Sequence, residues 1–427
     1  MNIKFITKLP YNSNNIIKIC SVKSANSIVV NNYLDIIKLS ANIETIIKYN
    51  PNINNTNIIF DISKLSTRLI DVFIYRIAQG LYSFNKYKTK KTIKNIQFFS
   101  GKYNKKGQNI INIVESANFA RNLINEPSNK MVPNTFANYI KTLFKSKSNV
   151  NVKILNSDDI SRLKLNLINA IGGYSKNKPN MVILDYKPKN YRKTICIAGK
   201  GVMIDTGGYS IKSVKGMNNM HMDKEGACIS VSLFSNLVSN KNKNRIICLC
   251  PLVENIISNE SLKPRDIVTA YNGQSVEIVN IDAEGRLILA DTLSYICKYY
   301  KPNYIIDIAT LTGSGKYCHT SFSYFTTNER LSKYAISSSK ELGENILRIP
   351  KWVEYMEYIK SDIADVKNSN YNCDKSEDLM ASLFLMNFIE KKYRNNWIHF
   401  DIRMIGPINR LNVAEGYGSI LKIINKI

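Results

Sequence analysis

The chain has 427 residues, 44% of them hydrophobic and 10% aromatic, which is enough to build two domains or one large one around a real core. No run reaches the ~18 consecutive apolar residues of a membrane-spanning helix. The opening MNIKFITKLPYNSNNIIK also lacks the apolar centre and small-residue cleavage site of a secretory signal, so a cytoplasmic protein without membrane contact is expected.

The net charge of +26 comes from lysines scattered through a chain equally rich in Asn and Ile. It reads as compositional bias and a solvated basic surface rather than a dedicated nucleic-acid site.

The first hundred residues alternate short β-like runs (IIKICSV, SIVVN, NIIFDIS) with an amphipathic helix. That helix presents Leu69, Val72, Phe73, Ile77, Leu81 and Phe84 at three- and four-residue steps. The densest basic stretch, from Lys86 to Lys94, holds one aromatic, Tyr87, and no RNP, KH or zinc-finger pattern. NIQFFS follows as a strand, then the turn GKYNKKGQN, then a helix over IVESANFARNLIN that Pro127 stops. The domain boundary is expected here, giving a smaller N-terminal α/β domain over 1–107 and a larger C-terminal domain over 108–427.

Beyond it, MVILDYKP, KTICIAGKG, RIICLCPLVEN, VEIVN and NYIIDIATLTG are nearly continuous apolar runs of the kind buried on both faces of a sheet. Helical stretches such as RLILADTLSYICKYY separate them, so the larger domain should be α/β, a central mixed sheet flanked by helices. The eight cysteines sit mostly in apolar segments and read as buried thiols of a reducing compartment; Cys248 and Cys250 are too close for a CxxC motif.

Two segments carry chemistry. KGVMIDTGGYSIKSVKGMNNMHMD holds Lys200, Asp205, Lys212 and Asp223, and NIDAEGRLILAD holds Asp282, Glu284 and Arg286. Ionised side chains are rarely left in such apolar and glycine-rich sequence unless they are paired or bind metal. If the strand VEIVN runs on through Asp282 and Glu284, their side chains leave the same face of the sheet. Glycines 201, 207, 208 and 285 permit sharp turns and close approach.

The four carboxylates would balance two divalent cations, and the remaining positive charge suits a hydroxide, a carbonate-like anion or a tetrahedral oxyanion. The three histidines (221, 319, 399) form no HExxH pair, so any metal must be held mainly by oxygen.

The sequence resembles the leucyl (cytosol) aminopeptidase family of metallopeptidases, whose signature NTDAEGRL reads NIDAEGRL here. The likeness runs from GLYSFNKYK through ARNLINEPSN, GKGVMIDTGG, PLVENI, DAEGRLILADTL, DIATLTG and WIHFDI. It implies a macro-like N-terminal domain followed by a metallo-exopeptidase domain that removes N-terminal residues from peptides.

By the same resemblance, Asp205 and Glu284 bridge two metal ions, manganese or zinc; Lys200 and Asp223 complete one site and Asp282 the other. Lys212 polarises the scissile carbonyl and stabilises a gem-diolate, and Arg286 holds a bicarbonate. Met220, Thr310, Gly313 and Arg403 line the pocket for the substrate's N-terminal side chain, and the assembly is a homohexamer. The chain departs from the family pattern at Met217 to Met220, at Lys224 and Glu225, in SNYNCDKSEDLM, and at Arg403, where relatives carry a small residue. The competing reading is a basic, DNA-binding accessory protein on the same scaffold. A phosphate-binding module is disfavoured because the glycines surround carboxylates.

Overall fold

The computed structural model describes residues 2–6, 8–9, 16–20, 27–48, 57–90, 94–100, 104–313, 321–370, 377–402 and 413–427. The chain forms two compact units, one of Met1–Asn122, Ala335–Asn345 and Ile405–Ile427, the other of Leu123–Tyr334 and Ile346–Met404.

The first unit holds a five-stranded parallel sheet of β1 (Asn2–Ile6), β2 (Ile16–Cys20), β3 (Ser27–Val29), β4 (Asn57–Lys64) and β5 (Asn95–Phe99), in the order β1-β5-β4-β2-β3. The expected helix spans Thr67–Gly80 and buries Leu69, Val72, Phe73 and Ile77; Leu81 is buried just beyond its end, whereas Phe84 is half-buried. Phe73 packs with Phe60 and Phe98, ring centroids 5.6–6.5 Å apart. A second helix, Tyr33–Lys48, was not anticipated from the sequence, although Ile36, Leu39 and Ile43 bury one face of it. Asp35 starts it by accepting the N–H groups of Asn31 and Asn32.

The second unit is built on a nine-stranded mixed sheet. Its centre is parallel: β17 (Trp397–Asp401), β13 (Tyr304–Ala309), β8 (Thr194–Gly199) and β10 (Arg245–Asn255) lie side by side. Short β9 (Gly201–Asp205) also pairs with β10. β7 (Asn180–Tyr186) and β6 (Val150–Leu155) add antiparallel strands on one flank; β14 (Ser321–Thr326) and β15 (Asn345–Arg348) close the other. The parallel strands read as unbroken apolar runs because both faces are covered: every residue of β8 and of β13 is buried.

A small separate sheet joins β11 (Ile267–Thr269), β12 (Ser275–Glu277) and β16 (Val366–Lys367). The strand expected to continue from VEIVN through Asp282 and Glu284 therefore stops at Glu277. The N–H groups of Val279 and Asn280 turn away to the Asn368 side chain, and Asn280 Oδ1 accepts the N–H of Asp282 at 2.9 Å, forming a tight turn.

The six described cysteines are all buried. Among the described residues no helix is long and apolar enough to cross a membrane.

Candidate metal centre

The charged residues converge at the C-terminal ends of the parallel strands, where open α/β sheets place their ligands. Lys200 sits between β8 and β9. Asp205 ends β9, and its register partner in the sheet is Asn255, the last residue of β10. Asp223 follows the 3-10 turn Met220–Met222, and only Lys224 separates it from the helix Glu225–Ser239. Asp282 lies in the turn described above, and Glu284 is the first residue of the helix Glu284–Tyr300, at the end whose dipole favours a carboxylate.

The side chains interlock through two ammonium groups. Lys200 Nζ lies 2.9 Å from Asp223 Oδ2 and 2.8 Å from Glu284 Oε1, and donates to the Thr310 carbonyl at 2.7 Å. Lys212 Nζ lies 2.8 Å from Asp205 Oδ2 and 2.5 Å from Asp282 Oδ1. Asp205 Oδ1 accepts the N–H of Gly207 at 2.9 Å and the Asn255 amide at 2.7 Å. Asp223 Oδ1 accepts the Thr310 hydroxyl at 2.6 Å.

Glycine is required where the loop turns back on itself. Gly207 has φ +85°, and a Cβ there would stand 2.4 Å from the Ser210 carbonyl and 3.0 Å from Asp282 Oδ1.

Four carboxylates meet two ammonium groups here, so two negative charges are left uncompensated. Asp205, Asp223 and Glu284 are each 2% exposed or less, where unbalanced charge is costly. The cost appears in their proton affinities. Burial pushes Asp205 well above the usual carboxylate range, with Glu284 and Asp223 adding to the effect. Burial also carries Asp223 up to about 7 against the pull of Lys200, and raises Asp282. Glu284 is the exception: burial is outweighed by Lys200 and Lys212, which hold it below the ordinary value. Burial disfavours both ammonium groups too, but Asp223 and Glu284 around Lys200, and Asp205 and Glu284 around Lys212, hold both above the ordinary lysine value.

A divalent cation fits these residues. One oxygen from each of Asp205, Asp223 and Glu284 comes within 4.8 Å of the others. Asp223 Oδ2, Asp282 Oδ1 and Glu284 Oε1 touch the lysines as charges, without hydrogen-bond geometry, and buried Glu284 Oε2 has no hydrogen-bond partner at all. Hard oxygen donors with spare lone pairs suit cations of the magnesium or manganese kind as well as zinc.

Arg286 is 1% exposed, and its Nη1 donates to the Asn368 carbonyl at 2.8 Å while Nη2 lies 3.3 Å from Glu377 Oε1. Its buried Nε has no hydrogen-bond partner. Met220 is half-buried in its 3-10 turn, and Gly313 is exposed with no atom within 4 Å of a Cβ built on it. Thr310, expected in a substrate pocket, is buried and engaged with both Lys200 and Asp223. Arg403 lies outside the described residues.

Lys224 and Glu225 are fully buried beside Asp223. Lys224 Nζ donates to the carbonyls of Glu126, at 2.8 Å, and His221, and burial lowers it to about 8. The sequence alone assigns no role to Asn255, Asn368 or Asp401, although Asn255 and Asp401 stand in the motifs PLVENI and WIHFDI and each ends an apolar strand.

Residues 118–419 match the family described as the cytosol aminopeptidase family, catalytic domain. A probable cytosol aminopeptidase of Desulfotalea psychrophila is 35% identical over 285 residues, covering 66% of this chain and 56% of that protein. The one from Phytoplasma mali is 35% identical over 315 residues, covering 72% of this chain and 62% of its own length. The one from Rickettsia canadensis is 31% identical over 378 residues, covering 84% and 75%. The chain thus spans less than two thirds of the first two relatives. Among solved structures, a cytosol aminopeptidase from Coxiella burnetii superposes with a TM-score of 0.83 at 23% identity, covering 99% of each chain. The bottromycin maturation enzyme BotP in complex with Mn superposes with a TM-score of 0.82 at 20% identity, covering 97% of this chain and 99% of that one.

Proposed function

The chain belongs to the cytosol aminopeptidase family, and from that premise we propose that it is a two-metal aminopeptidase that releases N-terminal residues from peptides in intracellular peptide turnover. The observation that carries the reading is the buried cluster of Asp205, Asp223 and Glu284, oxygens within 4.8 Å of one another and two negative charges in excess of the lysines around them.

Asp205 and Glu284 would be shared by two divalent cations, with Lys200 and Asp223 completing one site and Asp282 the other. Bound there, such cations supply Lewis acidity toward the scissile carbonyl and lower the pKa of a nucleophilic water toward neutrality.

The chain's own groups do the rest. Lys212, 16% exposed at its side chain, is the cation of the cluster that a substrate can reach, and its ammonium stabilises negative charge developing on the carbonyl oxygen. Arg286, with Nε free of a hydrogen-bond partner, would hold a bicarbonate, which when bound would supply a base for the nucleophile's proton. The tight interlocking of the carboxylates holds them in place before substrate arrives. Met220, Thr310, Gly313 and Arg403 are proposed to surround the substrate's N-terminal side chain, with Arg403 favouring polar or acidic residues over leucine. A homohexamer working in the cytoplasm is the assembly we propose.

The test is hydrolysis of an amino-acid amide panel after metal removal and reconstitution with manganese, zinc or magnesium. Activity that survives complete removal of metal would overturn the reading. A DNA-binding role would instead require a continuous basic groove on the assembly, and the lysines are scattered along the sequence.

A further inference from the structure

Asp401 touches none of the charged residues of the cluster, yet it holds the loop on which two of them depend. It ends β17, is 6% exposed, and aims its carboxylate at the loop leaving neighbouring β13. Oδ1 accepts the N–H of Leu311 at 2.9 Å and of Thr312 at 3.3 Å, and Oδ2 accepts the Thr312 hydroxyl at 2.6 Å. The next residue adds a main-chain tie, Ile402 N–H to the Ala309 carbonyl at 2.8 Å. Between these ties stands Thr310, whose carbonyl accepts from Lys200 and whose hydroxyl donates to Asp223. One buried carboxylate therefore fixes the backbone that orients both Lys200 and Asp223.

We propose that Asp401 is a positioning residue of the metal centre, setting the affinity of the Lys200–Asp223 side for a divalent cation through the Thr310 loop. Without it, Leu311 and Thr312 lose their acceptor, Thr310 moves with them, and Asp223 keeps its charge but loses its alignment. Groups that orient the ligands of a metal in this indirect way change its affinity by about 10- to 100-fold when removed. The inference rests on the proposal that the cluster binds metal.

The experiment titrates the purified full chain with Mn2+ alone, reading free ion by electron paramagnetic resonance, in wild type and in Asp401→Ala, Asp401→Asn and Asp291→Ala. Asp291 is a control of similar make: fully buried, with its carboxylate accepting three backbone N–H groups, but far from the cluster in its contacts, which are Leu167, Ile168 and Tyr271. The expected result is Mn2+ affinity about 10- to 100-fold weaker in Asp401→Ala. Asp401→Asn, which keeps an oxygen for the two N–H groups, should retain most of the affinity, and Asp291→Ala should lose thermal stability but no affinity.

Wild-type affinity in folded Asp401→Ala would overturn the proposal. So would an equal loss in Asp291→Ala, or no rescue by Asp401→Asn. A wild type that binds no Mn2+ would overturn the metal reading of the site and this inference with it. If Asp401→Ala does not fold, Thr312→Val is read in its place: weakened affinity supports the proposal and wild-type affinity overturns it.

Discussion

Gly285 lies against the end of Lys200: a Cβ on residue 285 would stand 2.7 Å from the lysine Cδ and Cε and 2.8 Å from Nζ. A lysine tip normally swings aside, but this one is 3% exposed and tied to Asp223, Glu284 and the Thr310 carbonyl. Gly285 is the second residue of its helix, where alanine would otherwise gain up to about 1 kcal/mol. Gly285→Ala should therefore keep its helical content while its metal affinity and activity fall together. Unchanged Mn2+ binding would show that Lys200 has room to move.

Glu284→Gln and Asp282→Ala should each abolish peptidase activity and leave the fold intact. Losing one ligand removes the activated water, a term worth several kcal/mol in two-metal hydrolases. The two forms of the protein should respond in opposite ways to Asp205→Asn. In chelator-treated protein the variant removes a charge that burial and the neighbouring Glu284 and Asp223 disfavour, so its melting temperature should match or exceed that of wild type. With Mn2+ added, wild type should be the more stable, because a cation that binds the folded state stabilises it by mass action. A variant with wild-type turnover would sink the mechanism.

Lys212→Met should separate turnover from binding. The ammonium bridges Asp205 and Asp282, and it is the partly exposed cation of the cluster. Its removal should lower kcat by about 100- to 1,000-fold, the usual effect of deleting one donor aimed at developing negative charge, with KM little changed. Metal stoichiometry by elemental analysis should stay at the wild-type value. Loss of metal along with turnover would make Lys212 a structural counter-ion rather than an electrophile.

The charged members of the centre were legible because each stands in apolar or glycine-rich sequence, where an unpaired charge has few explanations. The parallel strands were legible for a related reason, since burial on both faces leaves an unbroken apolar run. What misled was the run VEIVN, which continues the apolar signal past Glu277, where the strand ends. The turn that follows is made by Asn280 and by the distant Asn368, whose amide also donates to the Asn280 carbonyl at 2.6 Å. Asn255, Asn368 and Asp401 act through contacts with segments far away in the chain, and those partners cannot be read from the residues that flank them. Thr310 is expected at the substrate pocket from the family resemblance alone; its ties to Lys200 and Asp223 are visible only in the fold.

Asp291 gives the pH dependence that can be tested away from the cluster. It is fully buried, and although three backbone N–H groups favour its ionised form, burial dominates and pushes it up from the usual 3.8 to about 7. A carboxyl with a raised folded-state value contributes stability below the unfolded value, near 4, and loses it as pH rises through about 7. Asp291→Asn is neutral at every pH and keeps one oxygen for the N–H groups of Leu167 and Ile168 or of Tyr271. Wild type should thus be more stable than the variant at pH 5, and its advantage should shrink toward pH 8. The measurement is urea unfolding of both proteins in chelator, which removes any contribution from metal. A gap that stays constant or widens with pH would mean that the three N–H groups outweigh burial and hold Asp291 ionised throughout.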